Sequence, residues 1–562
     1  MLTYFAASLG IGAAVTYLVL GGFSRLNPKR FDWIFGDNVT SYLAQLYFLS
    51  DSWRIPLTAN PNYGSLHSVP LTYTGPNLPL ALLQKIFQIN PEFQFFGIWI
   101  LLTISLQIFF AILLARELNA SFIQSILFSL LTITPFFLAR FQLHFWLTSH
   151  FLILWSLLIV MRFLKNNRLQ TFHTLILVNL SLVLAPYILI MVLVVLLFIV
   201  LNSFLERQIS RKKIGTHCVL LVTSLIFSKS LFDGLGTEDN SYESFKMNFS
   251  GPDYGKFPYN LISFINPNFG LQDYYLGPLN DFHLTTNFSS TGVSLGSSPG
   301  SYEGFLYLGA GTLFLILVLL SKLKKPVLFP VIFLNKVNRK LLIVMLCALI
   351  TFSVTYNISL GNYVLNIPFP NLGTWALSAF RSSGRFMWVV AYLAIAVVLL
   401  ILISRLSRKH LTRLLLLAVA LNFLDLSKPV YERFVALRNE LPPVLNFQTE
   451  EYSKFKILAE GRTRVVSFPP GHGSPNWQEL NYWAWKEGMT TNSNQSGRIN
   501  FDLLKRETVS VFSTICNGPI VKENLYVVHL DLINKFSECD LSRFRISNVG
   551  SLLILTGYSI LP

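Results

Sequence analysis

"LILVNLSLVLAPYILIMVLVVLLFIVL", residues 175 to 201, runs through 27 positions without a charged residue. An α-helix rises 1.5 Å per residue, so a hydrocarbon core of about 30 Å needs roughly 20 apolar residues to cross. The apolar run extends from about 169 to 204, too long for one ordinary span. Two readings stand: one long helix kinked at proline, or two short spans turned at Ala185-Pro186-Tyr187. Proline removes a backbone donor and its ring collides with the preceding turn, so we separate the run there.

Outward from that point the same pattern recurs. Of the 562 residues, 52% are hydrophobic and only 13% charged, outside the usual mix of soluble domains. Eleven apolar stretches are expected as spans: 2–22, 95–115, 121–139, 150–164, 169–185, 187–204, 214–232, 303–320, 341–357, 386–404 and 411–426. The first has no Lys or Arg before it and no small-x-small cleavage site, so it reads as a retained helix and not a cleaved signal. The expected fold is a polytopic α-helical membrane protein of about eleven transmembrane helices, residues 1–426, with a C-terminal α/β or β-rich domain, 427–562.

Charge gives an orientation. With a cytoplasmic N-terminus, the inner segments hold eighteen Lys and Arg against Glu117 and Glu206, a difference equal to the formal net charge of +16. The basic balance is therefore a topology signal under the positive-inside rule and gives no reason to expect nucleic acid. Arg25, Lys29 and Arg30 vote the other way and are outnumbered. Three large loops, 23–94, 233–302 and 358–385, then lie outside with the tail. Cys516 and Cys539 both fall in that tail, where a disulfide and two free thiols are the open alternatives.

The first outer loop has structure of its own. Apolar residues at 39, 42, 43, 46 and 49 keep helical spacing, and 78–89 does likewise. Both read as helices lying flat in the membrane interface, with Trp33, Tyr47, Trp53 and Tyr63 at headgroup level. Just before the first of them stands one acid, Asp37, between Gly36 and Asn38. Such a setting suits a helix cap or turn as well as a catalytic group.

A first span followed by a large outer loop with an early acid and two interfacial helices resembles the GT-C superfamily of integral-membrane glycosyltransferases. "YEGFLYLGAG" (302–311), "SLGNYVLNIPFP" (359–370), "FRSSGRFMW" (380–388) and "TTNSNQSGR" (490–498) are similar, in that order, to stretches of a bacterial membrane-protein family placed in that clan. The resemblance implies transfer of a sugar from a polyprenyl-phosphate donor to a glycan or glycolipid acceptor on the outer face, with inversion. It also implies that Asp37 is the general base. The chemistry agrees: the attacking hydroxyl must lose a proton, and the leaving group is already a phosphate, so the second carboxylic acid of glycoside hydrolysis is not required.

A lipid phosphate calls for cations. Arg381 and Arg385 share a face if the tenth span begins that early, and Ser382-Ser383-Gly384 between them offers helix N-terminal amides to an anion. The competing reading is attraction to bulk headgroups. Arg140 and His144, between the third and fourth spans, can touch the donor phosphate or a sugar, or simply form a polar girdle. Glu303 can bind sugar, pair with an arginine, or mark a helix start. GT-C relatives sometimes add an outer-loop acid that helps hold a metal; "TYTGPNLPLALL" (72–83) has none, which leaves a divalent metal an open question. In the tail, Trp477, Trp483 and Trp485 are candidates for stacking on an acceptor sugar, with core packing as the plainer account.

No phosphate-binding loop, dinucleotide fingerprint, CxxC or HExxH is present. Two other classes remain open, a glycolipid transporter or flippase and a non-catalytic protein of envelope assembly. Against the first, the spans are nearly free of ionisable groups, with Lys229 and Asp425 near helix ends.

Overall fold

The computed structural model describes residues 1–31, 33, 34, 36–64, 70–75, 77–207, 209–233, 254–267, 301–321, 336–370, 377, 380–438, 449–474, 476–495 and 501–557. In chain order its helices are α1 (Leu2–Leu20), α2 (Asp37–Ser50), α3 (Leu78–Ile86), α4 (Phe96–Glu117), α5 (Phe122–Leu131), α6 (Pro135–Leu138), α7 (Arg140–Leu143), α8 (Phe151–Asn166), α9 (Thr171–Leu184), α10 (Pro186–Glu206) and α11 (Arg211–Asp233). After them come α12 (Ala310–Ser321), α13 (Lys336–Val354), α14 (Met387–Arg405), α15 (Arg408–Arg438), α16 (Glu450–Ala459), α17 (Trp477–Lys486) and α18 (Phe501–Cys516). The chain divides into two compact units, one of residues 1–27, 96–228 and 249–440, the other of 28–95, 229–248 and 441–562. Most of the expected outer loop 233–302, the basic residues Lys322, Lys324 and Lys325, and residues 496–498 of the tail motif lie outside the described residues.

The first unit is a helical bundle, and each of the eleven apolar stretches overlaps at least one helix. Among the described residues, seven segments are long and apolar enough to cross a membrane: Leu2–Leu20, Phe96–Glu117, Phe145–Asn166, Pro186–Glu206, Arg211–Asp233, Ser383–Arg405 and Arg408–Ser427. Three apolar helices, α5, α9 and α12, are shorter. The proline break expected in the long run is present. Ala185 takes an extended conformation (φ −160°, ψ 93°) and Pro186 opens α10 at a position where its missing N–H costs nothing. Helix α5 starts in a reciprocal cap, with the Ser121 hydroxyl accepting from Gln124 N–H and the Gln124 carboxamide accepting from Ser121 N–H. Helices α1 and α4 touch closely at Gly12, where a Cβ would lie 2.2 Å from Ser105 Oγ. Apolar helices in lipid associate through such small-residue contacts.

Side-chain pairs sort the bundle's two ends. At one, Glu117 accepts from Arg162 Nε at 2.9 Å and Lys165 at 3.4 Å, and Gln124 donates to Arg408 O. At the other, Arg140, Glu303, Arg385 and Tyr187 meet. The first group joins segments that follow even-numbered stretches or precede odd-numbered ones; the second joins the intervening loops.

The second unit combines residues of the first loop with the tail. Its sheet has strands β3 (Arg464–Phe468), β4 (Thr490–Thr491), β5 (Asn524–His529), β6 (Phe544–Val549) and β7 (Leu552–Gly557) in the order β4-β3-β5-β7-β6; β1 (Asn357–Leu360) and β2 (Tyr363–Asn366) form a hairpin in the first unit. Strand β3 runs parallel to β4 and β5, and β7 runs antiparallel to β5 and β6. Val466, Phe468, Tyr526, Val528, Leu553 and Leu555 face Val511, Ile515 and Phe536 in one apolar core. Cys516 is bonded to Cys539, with Cα atoms 4.5 Å apart, which resolves the choice between a disulfide and free thiols. Cys218 and Cys347 are free.

Helix α2 departs from the expected interfacial helix. Every residue from Asn38 to Phe48 is buried, polar ones included. The reason is that its polar positions have protein partners: Ser41 donates to Thr74 O (2.8 Å), Gln45 to Gln84 (2.9 Å), Thr40 to Gln495 (3.2 Å) and Tyr47 to Asn481 O (3.0 Å). Trp33, Tyr47 and Tyr63 are likewise buried, and only Trp53 of that aromatic set is exposed.

Candidate functional site

In the bundle, four of the residues singled out in the sequence come together. Arg140 opens α7, the short helix after α6, whose start is capped by the Thr134 hydroxyl and Pro135. Glu303 sits in a 3-10 turn, Ser301–Gly304, ahead of α12. Arg140 Nη1 donates to Glu303 Oε2 at 2.9 Å, Arg385 Nε donates to the same oxygen at 2.9 Å, and Arg385 Nη2 donates to Oε1. His144 Nε2 lies 3.6 Å from Oε1. Arg140, Glu303 and Arg385 are buried and His144 is partly open. Burial works to raise the Glu303 pKa, but Arg385, with nearby His144 and Arg140, holds it well below the ordinary carboxylate value.

Glycines allow this convergence. A Cβ on Gly304 would stand 2.6 Å from Pro258 O, and one on Gly384 would stand 2.8 Å from the Gly304 Cα. The two segments "YEGF" and "SSGR" therefore meet backbone to backbone, which places Glu303 against Arg385. Aromatic faces complete the surroundings: the Arg140 guanidinium is 5.3 Å from the Trp388 ring and that of Arg385 is 5.0 Å from Tyr187. Beneath them His150 Nδ1 and Tyr392 Oη are 2.9 Å apart, and Gln107 donates to the same Tyr392 oxygen at 3.0 Å.

Arg381 and Arg385 do not share a helical face. The α-helix begins only at Met387, after a 3-10 turn from Ser383 to Phe386, so four-residue spacing does not align them. Nor is Gly384 N–H open to an anion, because it donates to Phe257 O at 3.1 Å, while Arg381 O accepts from Phe257 N–H at 3.1 Å. Arg381 is half-buried, and among the described residues its side chain has no ion-pair partner.

In the second unit Asp37 is exposed and is the first residue of α2, after Gly36 in a left-handed conformation (φ 57°). The first turn of a helix favours negative charge. The three tryptophans proposed for an acceptor lie on α17, which packs against α2. Trp477 and Trp483 are buried, and the Trp483 ring lies tilted against Phe455 with centroids 5.4 Å apart. Trp485 is half-buried and donates to Ser50 Oγ (2.8 Å) and Leu46 O (3.1 Å). Their rings are thus engaged in packing the tail onto the first loop. Two charged pairs were not foreseen. Glu92 bonds Lys486 and accepts from Tyr482 at 3.1 Å. Asp233 pairs with Lys229 four residues earlier and accepts from Thr72 at 2.5 Å. The lysine-to-aspartate spacing at a helix end was the one visible signal for the second pair. Burial raises the pKa of Asp51, which accepts from Asn62.

A family model described as "Domain of unknown function (DUF6311)" matches residues 10–427. The chain belongs to this family. The DUF6311 match contains all four residues of the bundle cluster and Asp37, and it ends before the sheet of the tail. No curated protein matches the chain. Among solved structures it is similar to the apo crystal structure of the oligosaccharyltransferase of Archaeoglobus fulgidus, at 13% identity and a TM-score of 0.37, over 94% of this chain and 70% of that one. A likeness that slight lends no role to any residue of this DUF6311 protein. Among the described residues, no group of three or more His, Cys, Asp and Glu side chains is placed to hold a metal ion.

Proposed function

We propose that this protein is a membrane glycosyltransferase of GT-C type, moving a sugar from a polyprenyl-phosphate donor to a glycan or glycolipid acceptor. The observation that carries the reading is the charge of the bundle cluster: two buried guanidiniums face one carboxylate, with His144 at its open side. Guanidiniums at the ends of apolar helices suit a phosphate held at headgroup depth. In this reading His144 and the half-buried Arg381 meet the donor phosphate, while Arg140 and Arg385 supply field and Glu303 fixes their positions. Asp37 is the base that takes the proton of the acceptor hydroxyl, aided by its exposure. The bundle end rich in Lys and Arg faces the cytoplasm, with the N-terminus, and the second unit is extracytoplasmic.

The deciding experiment compares cell-envelope glycans, by mass spectrometry, from a deletion strain complemented with the natural protein or with Asp37→Asn. Loss of one glycan species in the variant at normal protein level is expected. An unchanged glycan profile would favour a transporter or a non-catalytic assembly protein.

A further inference from the structure

The hairpin β1–β2 has an unusual surface. Its strands pair antiparallel from Asn357 with Asn366 to Leu360 with Tyr363, around a tight turn in which Gly361 takes a left-handed φ of 59°. Tyr363 is 83% exposed, Leu365 62%, Leu360 53% and Ile367 45%, a run of large apolar side chains turned away from the protein. A water-facing hairpin of this size would normally carry charge to stay soluble. Here there is none: between Lys340 and Arg381 the sequence contains no charged residue.

Position suggests what covers it. The hairpin starts three residues beyond Val354, the last residue of α13, whose Ile343, Val344 and Ile350 are exposed along an otherwise apolar helix. An exposed apolar stripe on α13 thus leads into the exposed face of β1–β2. The hairpin stands at the same end of the bundle as Arg385 and Glu303, because the segment 254–267 binds both. Asn260 clamps the turn, donating from Nδ2 to Gly361 O (2.8 Å) and accepting from Gly361 N–H (3.0 Å), and Leu261 N–H donates to Ser359 O at 2.8 Å. The same segment passes under Gly304 and Gly384 through Phe257 and Pro258.

We infer that β1–β2 is a membrane-seated hairpin, dipping into the headgroup layer of the phospholipid bilayer beside the charged cluster. Its depth follows from hydrogen bonding. Strand β1 has partners on both sides, β2 on one, and among the described residues no strand pairs with the outer edge of β2. Unpaired backbone groups are excluded from hydrocarbon but are satisfied among headgroups and water. Aromatic residues at 356, 363 and 369 suit that same layer. Through Asn260 and Pro258, the hairpin then fixes the height of Glu303 and Arg385 relative to lipid phosphates. This inference needs only that the apolar helices span a bilayer, and it goes beyond the sugar-transfer reading.

The test is collision accessibility of a nitroxide at Tyr363→Cys and, in a second protein, at Leu365→Cys, in a Cys218→Ser, Cys347→Ala background that keeps the tail disulfide. The proteins are placed in nanodiscs of mixed zwitterionic and anionic phospholipid. Ile546→Cys, exposed on β6 of the second unit, is the reference. Oxygen accessibility above that of a water-soluble nickel chelate is expected at 363 and 365, with the order inverted at 546. If 363 and 365 read like 546, the hairpin is in water and the proposal is wrong. If both reagents are excluded from an immobilised label, another protein covers the hairpin and the proposal is equally wrong. Neither outcome depends on sugar transfer, so the two readings stand or fall separately.

Discussion

Glu303 and Asp37 are both acids at the start of helical segments, yet their surroundings are opposite. Glu303 is buried and both its oxygens are taken by guanidiniums, whereas Asp37 is exposed on the first turn of α2. Three guanidinium hydrogen bonds and a lowered pKa make Glu303 a poor acceptor for a substrate proton. Under the function proposed above, Glu303 holds charge in place and Asp37 is the acid that takes part in chemistry.

The contrast can be broken most sharply at Glu303. Glu303→Gln strands two buried guanidiniums, and a loss of about 3–5 kcal/mol is expected, read as a fall in the thermal unfolding midpoint of the detergent-solubilised protein. Replacing all three members, Arg140→Met with Glu303→Leu and Arg385→Met, should restore most of that loss, since apolar packing removes the stranded charge. Next comes Asp37→Asn, expected to lower sugar transfer by about 10²–10⁴-fold while stability changes by no more than about 0.3–1 kcal/mol. A large stability loss with unchanged transfer would reverse the roles assigned to the two acids. Trp485→Phe keeps the ring but deletes the indole donor to Ser50 and Leu46, for an expected loss of about 1 kcal/mol confined to the second unit and visible in hydrogen exchange of α2 and α17.

The smallest effect at working pH concerns the same carboxylate. The folded pKa of Glu303 lies below its ordinary value of 4.5, so its ion pairs contribute fully above that value. Their contribution is lost as pH falls through the lower folded value. Stability against pH should therefore be flat from this group at neutral and mildly acidic pH and decline below about 4.5, and Glu303→Gln should remove part of that acid limb.

The sequence made some of this visible for plain reasons. A run of apolar residues the length of a bilayer has few other uses, so the helices of the bundle were legible, down to the break before Pro186. Strand β3 falls on the tail's "RVVSF", a short run with two adjacent β-branched residues, the composition of a buried strand. Arg140, His144, Glu303 and Arg385 were each visible as polar residues at span ends, but their meeting was not: positions 140 and 303 are brought together by packing, which no local period encodes. Helix α2 shows the opposite failure. Its spacing is amphipathic, and a pattern alone does not distinguish a lipid surface from a protein partner that satisfies Thr40, Ser41 and Gln45. Arg381 and Arg385 failed on register, because the 3-10 turn before α14 has no signature in "RSSGRF".

The second unit is discontinuous, with its first piece ending at 95 and its last beginning at 441. During synthesis at roughly 5–20 residues per second, α2 therefore leaves the ribosome tens of seconds before α17, the helix that covers its polar face, exists. For that interval Tyr47 and Ser50 have no α17 to meet, while the bundle's segments are still being threaded into lipid. Biogenesis of this protein is thus a problem of delayed closure, and a nascent chain stalled anywhere in the bundle would present a bare, sticky helix to the quality-control machinery of the envelope.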